Sequence, residues 1–329
     1  MESLARFFRS PIAGPLSALI LAVIVVSLST DRFLTAQNLS NVSLQVSGVA
    51  IAAIGSTLVI LTAGIDLSPG SLVALTASIL AVLVKILGLP LPLGIVLALI
   101  MGAGLGAING GLVAYGRIPS FIATLATFSI FRGLAFLVTK GTPIFSISPN
   151  LDRLFYGRIA GIPLPVIYVA VLYGITFVFL KYTSPGRAIY AVGGNESAAR
   201  LSGIQVKRIH LLVFVLAGLT AAIAGVMIAA RLNSGSPNYG VAMELATIAA
   251  AVIGGASLAG GEGNIVSTLF GALTVAVVQN GLNLNAVPAA YQNITLGVII
   301  VLAVGVDMWS SDVGRGLSRV FSFRRKENS

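Results

Sequence analysis

Long apolar runs alternate with short polar intervals along nearly the whole 329-residue chain. A helix that crosses a bilayer needs about 20 apolar residues. Runs of that order occur at 12–29, 44–63, 67–87, 91–114, 121–139, 164–180, 211–230, 243–258, 265–284 and 289–309. The pattern predicts an all-α integral membrane protein of about ten transmembrane helices, one membrane domain over 1–329 with no separate soluble domain. The first run follows Arg6 and Arg9 and carries Ser27-Leu28-Ser29, which resembles a signal-peptide cleavage site. Its length and the runs behind it favour a retained helix. Between the second and third runs, Ala63-Gly-Ile-Asp-Leu67 leaves almost no loop. The interval 140–162, with Pro143, Pro149 and the adjoining Pro163, breaks helix.

The longest polar interval is 181–210. It carries Lys181, Arg187, Arg200, Lys207 and Arg208 against one acid, Glu196. Within it, 195–203 reads as a complete short helix: Asn195 caps the first N–H groups, Glu196 suits the positive end, and Gly203 can end it left-handed. A capped helix on a basic face between two spans is suited to touch a partner.

Lys and Arg set the orientation. With both termini inside, the inner face holds Arg6, Arg9, Arg117, Lys181, Arg187, Arg200, Lys207, Arg208, Arg315, Arg319, Arg324, Arg325 and Lys326. The outer face holds Arg32, Lys85, Lys140, Arg153, Arg158 and Arg231, so the bias is 13 to 6. This predicts cytoplasmic N- and C-termini and a cytoplasmic loop over 182–210.

Composition agrees: 57% of residues are hydrophobic, 9% charged, and the mean hydropathy is +1.00. Soluble domains carry roughly 25% charged residues. The net charge of +10 sits at the ends of apolar runs, which points to membrane topology and acidic lipid, not nucleic acid. With no cysteine and one histidine, His210, thiolate and multi-histidine metal sites are excluded. No GxxxxGK[ST] phosphate loop and no catalytic constellation can be assembled, so intrinsic enzymatic chemistry is not expected.

Gly102, Gly106 and Gly110 place a small-residue stripe on one helix face, which favours close packing over a dinucleotide loop. Ionisable residues near or within runs are Asp66, Arg132, Glu244, Glu262 and Asp307. Arg132 is the deepest; it lines a polar pathway or pairs with Asp66 or Glu244. Asp66 and Glu244 lie near run ends, where capping is the simpler role. The amides Asn109, Gln279, Asn280 and Asn283 suit a neutral polyhydroxylated solute or interhelical hydrogen bonds. Residues 279 and 283 share a helix face, and 280 and 283 nearly do. The glycine-rich segment 254–263 reads as a broken, re-entrant element or as a tight cytoplasmic turn.

Several stretches carry a family likeness: Ala63-Gly-Ile-Asp-Leu-Ser-Pro-Gly70, Gly186-Arg-Ala-Ile-Tyr-Ala-Val-Gly-Gly-Asn-Glu196, Ala199-Arg-Leu-Ser-Gly-Ile204, Ala249-Ala-Ala-Val-Ile-Gly-Gly-Ala-Ser-Leu-Ala-Gly-Gly261 and Gln279-Asn-Gly-Leu-Asn283. In these the chain resembles the permease subunits of ABC importers for monosaccharides. The resemblance implies about ten spans in the bacterial inner membrane and a permease dimer, homodimeric or with a related chain. It also implies a periplasmic sugar-binding protein and a cytoplasmic ABC ATPase that binds ATP and Mg, leaving no cofactor for this chain. It makes 190–209 the segment that couples to the ATPase, with Asn195, Glu196, Ala198, Ala199, Arg200, Gly203, Lys207 and Arg208 in the docking element. Ala198-Ala199-x-x-x-Gly203 looks like the core of the general importer EAA loop, although Glu196 stands one residue further upstream than that pattern asks.

The resulting expectation is alternating access driven by the partner ATPase, with Asp66, Asn109, Arg132, Glu244, Gln279, Asn280 and Asn283 as candidates for the substrate path. A self-sufficient secondary sugar carrier or channel is the competing class. It needs no docking helix and normally carries a coupling-ion site. A structural scaffold fits the glycines but not the in-span polar residues.

Overall fold

A computed structural model of the chain describes residues 12–305. Those residues form an almost wholly helical protein. The helices are α1 (Ala13–Ser29), α2 (Ala36–Leu61), α3 (Pro69–Ala81, continued by a π turn Val82–Ile86), α4 (Leu91–Ala114), α5 (Ser120–Thr139), α6 (Leu151–Tyr156) and α7 (Leu164–Tyr182). They continue as α8 (Ser184–Gly194), α9 (Glu196–Leu201), α10 (Val206–Leu232), α11 (Met243–Ile253), α12 (Ile265–Leu284) and α13 (Ala289–Gly305). Four two-residue strands make two small antiparallel pairs, β1 (Ile144–Phe145) with β4 (Ser234–Gly235) and β2 (Arg158–Ile159) with β3 (Ile162–Pro163). The interval 140–162 is therefore an ordered cap of β1, α6 and the β2–β3 turn. Arg6, Arg9, Asp307 and the basic residues from Arg315 to Lys326 lie outside the described residues.

Among the described residues seven helices are long and apolar enough to cross a membrane: α2, α3 with its π turn, α4, α5, α7, α10 and α12. Two apolar runs expected as full spans are shorter helices, α1 and α11, while α13 is described only to Gly305, short of the end of the run 289–309. The run 243–258 shortens to 11 residues because Gly254 and Gly255 end the helix. In the opposite sense α10 starts at Val206, five residues before the expected 211, and takes Lys207, Arg208 and His210 into its first turns.

α2 and α10 form the centre. In α2, 83% of the apolar window is buried, against 22% in α4 and α7, which face outward. The α4–α10 crossing rests on the glycine stripe. A Cβ at Gly106 would collide with the Phe214 carbonyl, at Gly102 with Ala222, and at Gly110 with the Leu211 backbone. Without side chains there, backbones approach closely and dispersion contacts multiply.

Two segments interrupt this bundle. Residues 62–68 run without helix between α2 and α3, and 233–242, β4 followed by turns, run between α10 and α11. Each opens on a left-handed non-glycine residue, Ala63 (φ 59°) and Asn233 (φ 43°). The far ends meet, because Gly70 packs against Gly240 and the Glu244 carboxylate. The breaks therefore lie at 62–68 and 233–242, beside a further non-helical segment at 254–263. The latter is a tight turn between α11 and α12, in which the Ser257 N–H donates to Glu262 O (3.0 Å).

Candidate functional site

Non-helical backbone inside a bundle needs hydrogen-bond partners, because an unpaired buried N–H or C=O is costly. At the first break α5 supplies them with neutral hydroxyls. Ser120 Oγ accepts from the Ile65 N–H and Thr124 Oγ1 from the Leu67 N–H, both at 3.0 Å. Asp66 is buried and turns back on its own segment, accepting from the Ser68 N–H (2.8 Å) and the Ser68 hydroxyl (2.7 Å). Asn109, 1% exposed, donates to Ser68 Oγ at 2.9 Å, and its Oδ1 has no partner among the described residues. Asp66 and Asn109 thus share one polar cluster at the start of α3.

At the second break α5 supplies a cation. Arg132 Nη1 donates to the Pro237 and Tyr239 carbonyls, both at 2.7 Å, and its guanidinium stands 5.7 Å from the Phe128 ring. Arg132 makes no salt bridge to Asp66 or Glu244 among the described residues; it attracts Glu244 at longer range, and its hydrogen bonds go to the turn at 237–240, whose carbonyls no helix satisfies. Glu244 Oε2 is buried without a hydrogen-bond partner among the described residues.

The three amides of α12 go to separate places. Asn280 exchanges two amide hydrogen bonds with Asn38 at the start of α2 (2.9 and 3.0 Å). Asn283 is exposed and accepts from Gln292 at 2.8 Å. Gln279 is half-buried with no side-chain hydrogen bond among the described residues. The shared face of 279 and 283 joins no common site, because α12 reaches its exposed end by 283.

The interval expected as a loop holds two helices and the start of α10. Thr183 caps α8 by accepting from the Gly186 N–H (3.1 Å), with Pro185 in the first turn. Ile189 and Val192 bury one face of α8. The Tyr190 hydroxyl donates to Gly263 O at 3.1 Å, and burial pushes that phenol further up, keeping it a neutral donor. Gly193 sits where any Cβ would collide with Leu61 O, and the Gly261 N–H donates to the same carbonyl at 3.0 Å. The end of α2, the 254–264 turn and α8 are thus clasped at one carbonyl.

α9 follows. Asn195 Oδ1 accepts from the Ala198 N–H at 2.9 Å, and Gly203 (φ 82°) ends the helix with its N–H on Arg200 O. Ala199 is buried in the main core, while Glu196 and Arg200, one turn apart, form an ion pair (2.6 Å). Lys207 Nζ stands 5.5 Å from the Tyr115 ring, and Arg208 is exposed. On the opposite side from Ala199, Leu201 is 89% exposed. Sequence reasoning passed over Leu201. The signal was its spacing: two residues from a buried alanine, about 200° round the helix.

Residues 38–304 match the family described as branched-chain amino acid transport system / permease component. The chain belongs to this permease family. It is 46% identical over 296 residues to the ribose import permease protein of Escherichia coli (strain K12), covering 89% of this chain and 92% of that one. The ribose import permease protein of Bacillus subtilis (strain 168) is 44% identical with the same coverages. The D-allose transport system permease protein of E. coli (strain K12) is 38% identical, covering 88% and 89%. All three are named as transport components, not enzymes.

Proposed function

We propose that this chain is the permease subunit of an ATP-binding-cassette importer. It translocates a monosaccharide or related polyol across the bacterial inner membrane by alternating access. The sugar class rests on relatives named for ribose and allose, the nearest of these at 46% identity along most of the chain. In this reading α1, α11 and α13 join the seven long helices to make about ten spans. Both termini are cytoplasmic. The described residues alone do not bias the orientation: Arg117, Lys181, Arg187, Arg200, Lys207 and Arg208 on one side balance Arg32, Lys85, Lys140, Arg153, Arg158 and Arg231 on the other. The excess comes from Arg6, Arg9, Arg315, Arg319, Arg324, Arg325 and Lys326.

The partners are a cytoplasmic ATPase that binds ATP and Mg, a periplasmic sugar-binding protein and a second permease copy. The observation that carries the coupling role is the clasp of α8 on the end of α2, with α9 anchored beside it by Ala199. Force applied by an ATPase to α9 reaches Leu61 and the 62–68 break through packed backbone. That segment is bonded to α5, which in turn holds 237–239. Asp66, Asn109, Arg132 and Glu244 then act by holding the two breaks beside the path, and Gln279 is the amide free to meet solute. The test is to tag the chain, extract it gently from its native membrane and identify what stays bound. A stoichiometric ATPase with ATP-dependent sugar uptake is expected. A chain that comes out alone and moves sugar in vesicles without ATP would overturn the reading in favour of a secondary carrier.

A further inference from the structure

A cavity of about 630 Å³ opens between the α4–α5 turn, the end of α2, α9 and the start of α10. That volume falls in the ~300–1,000 Å³ range of small-molecule sites. Its wall carries Arg117, Arg200, Lys207 and His210, with Glu196 as the single acid. Arg200 is already paired with Glu196. Neither Arg117 nor Lys207 has a carboxylate within ion-pair distance among the described residues. Both are exposed, and the Tyr115 ring is the neighbour described for Lys207, so the two cations are free to take an anion.

Arg117 is also held in an unfavourable backbone conformation. It is left-handed (φ 57°) in the turn Gly116-Arg117-Ile118-Pro119, a geometry that glycine adopts without the penalty an L side chain meets. Two long helices add to the field: α5 and α10 both begin in this wall, and neither start has a side-chain cap. The wall also carries the apolar side chains of Val113, Ala114, Ile118, Val206 and Phe214 beside the hydroxyls of Thr62 and Ser120. Cations and apolar side chains lining one cavity match a phosphate group joined to something apolar.

We propose that this cavity binds a phosphate-bearing anion through Arg117 and Lys207, and that the phosphodiester headgroup of an acidic phospholipid is its occupant. Such a ligand bridges the α4–α5 turn to the base of α10, next to α9. Free phosphate shares the charged chemistry but leaves the apolar wall unused.

The test needs neither the ATPase nor transport, so its failure is separate from failure of the importer reading. The full-length chain is purified in detergent and exchanged with defined lipids, and retained lipid is read by native mass spectrometry. Phosphatidylglycerol is expected to be retained over phosphatidylcholine, with about tenfold weaker retention in Arg117→Gln/Lys207→Gln. Ala114→Leu keeps every charge and fills the cavity, and it is expected to lose retention as well. Displacement by millimolar inorganic phosphate alone would assign the site to the free anion, overturning the headgroup assignment. Equal retention of both lipids would overturn the site altogether. Loss in the charge variant but not in Ala114→Leu would reduce it to general surface attraction and overturn the cavity. Thermal melting of each variant separates lost binding from lost folding.

Discussion

The two breaks solve one problem with different chemistry. At 62–68 the freed backbone is paired by the neutral hydroxyls of Ser120 and Thr124, and Asp66 closes a local turn on Ser68. At 233–242 one guanidinium, Arg132, gathers two carbonyls. Neutral bonds contribute about 1 kcal/mol each, and bonds to a charged group about 1.5–3. The first break is thus held by several weak, separable bonds, and the second by one strong residue. Both sets reside on α5, so α5 is the element through which a shift at one break reaches the other.

The largest expected effect is Arg132→Met. It strips both bonds from the Pro237 and Tyr239 carbonyls at once, and a loss of about 3 kcal/mol or more is expected in detergent unfolding. Arg132→Lys keeps the charge without the planar fork and should recover part of it. A melting temperature unchanged in Arg132→Met would mean that the second break is held by its neighbours alone.

Asp66→Ala comes next, at about 2 kcal/mol, because it removes the acceptor of two hydrogen bonds. Asp66→Asn retains an acceptor oxygen and is expected to lie between this variant and the native chain. Thr124→Val removes the acceptor of the Leu67 N–H together with the hydroxyl's own donation to Ser120 O or Ile65 O, and is expected to cost about 1 kcal/mol. If Thr124→Val were as damaging as Arg132→Met, the contrast between a distributed and a concentrated latch would fail.

Much of this was legible in the sequence, and the residues explain which part. The long helices follow from apolar run length, and a close-packed face on α4 from glycines at four-residue spacing, although only the structure names α10 as the neighbour. The Asn195 cap and the Gly203 terminus follow from local backbone chemistry that depends on near neighbours only. The missed features depend on partners far along the chain. Arg132 reaches carbonyls 105 and 107 residues away, and Asn280 pairs with Asn38 across 242. No local pattern announces such distances. The α8 helix is a different miss: Thr183 followed by Pro185 is a start signal, masked by the two glycines at its end and the surrounding polarity.

The smallest expected stability effect belongs to Asn195→Ala, and it separates the breaks from the docking side. The cap on α9 is worth about 1 kcal/mol to that helix. α9 has six residues and only Ala199 buried, so it can fray while α2 and α10 stay folded. Global melting should therefore hardly move. Hydrogen exchange at Ala198–Leu201 should quicken several-fold, and ATPase capture should fall with it. Leu201→Asp is the matched control: it leaves the cap intact and alters only the exposed apolar side chain of α9. Loss of capture in both variants with unchanged melting would place the docking surface on α9 and leave the two breaks as the receiving end. Unchanged capture in both would move the contact to α8 or to the basic first turn of α10.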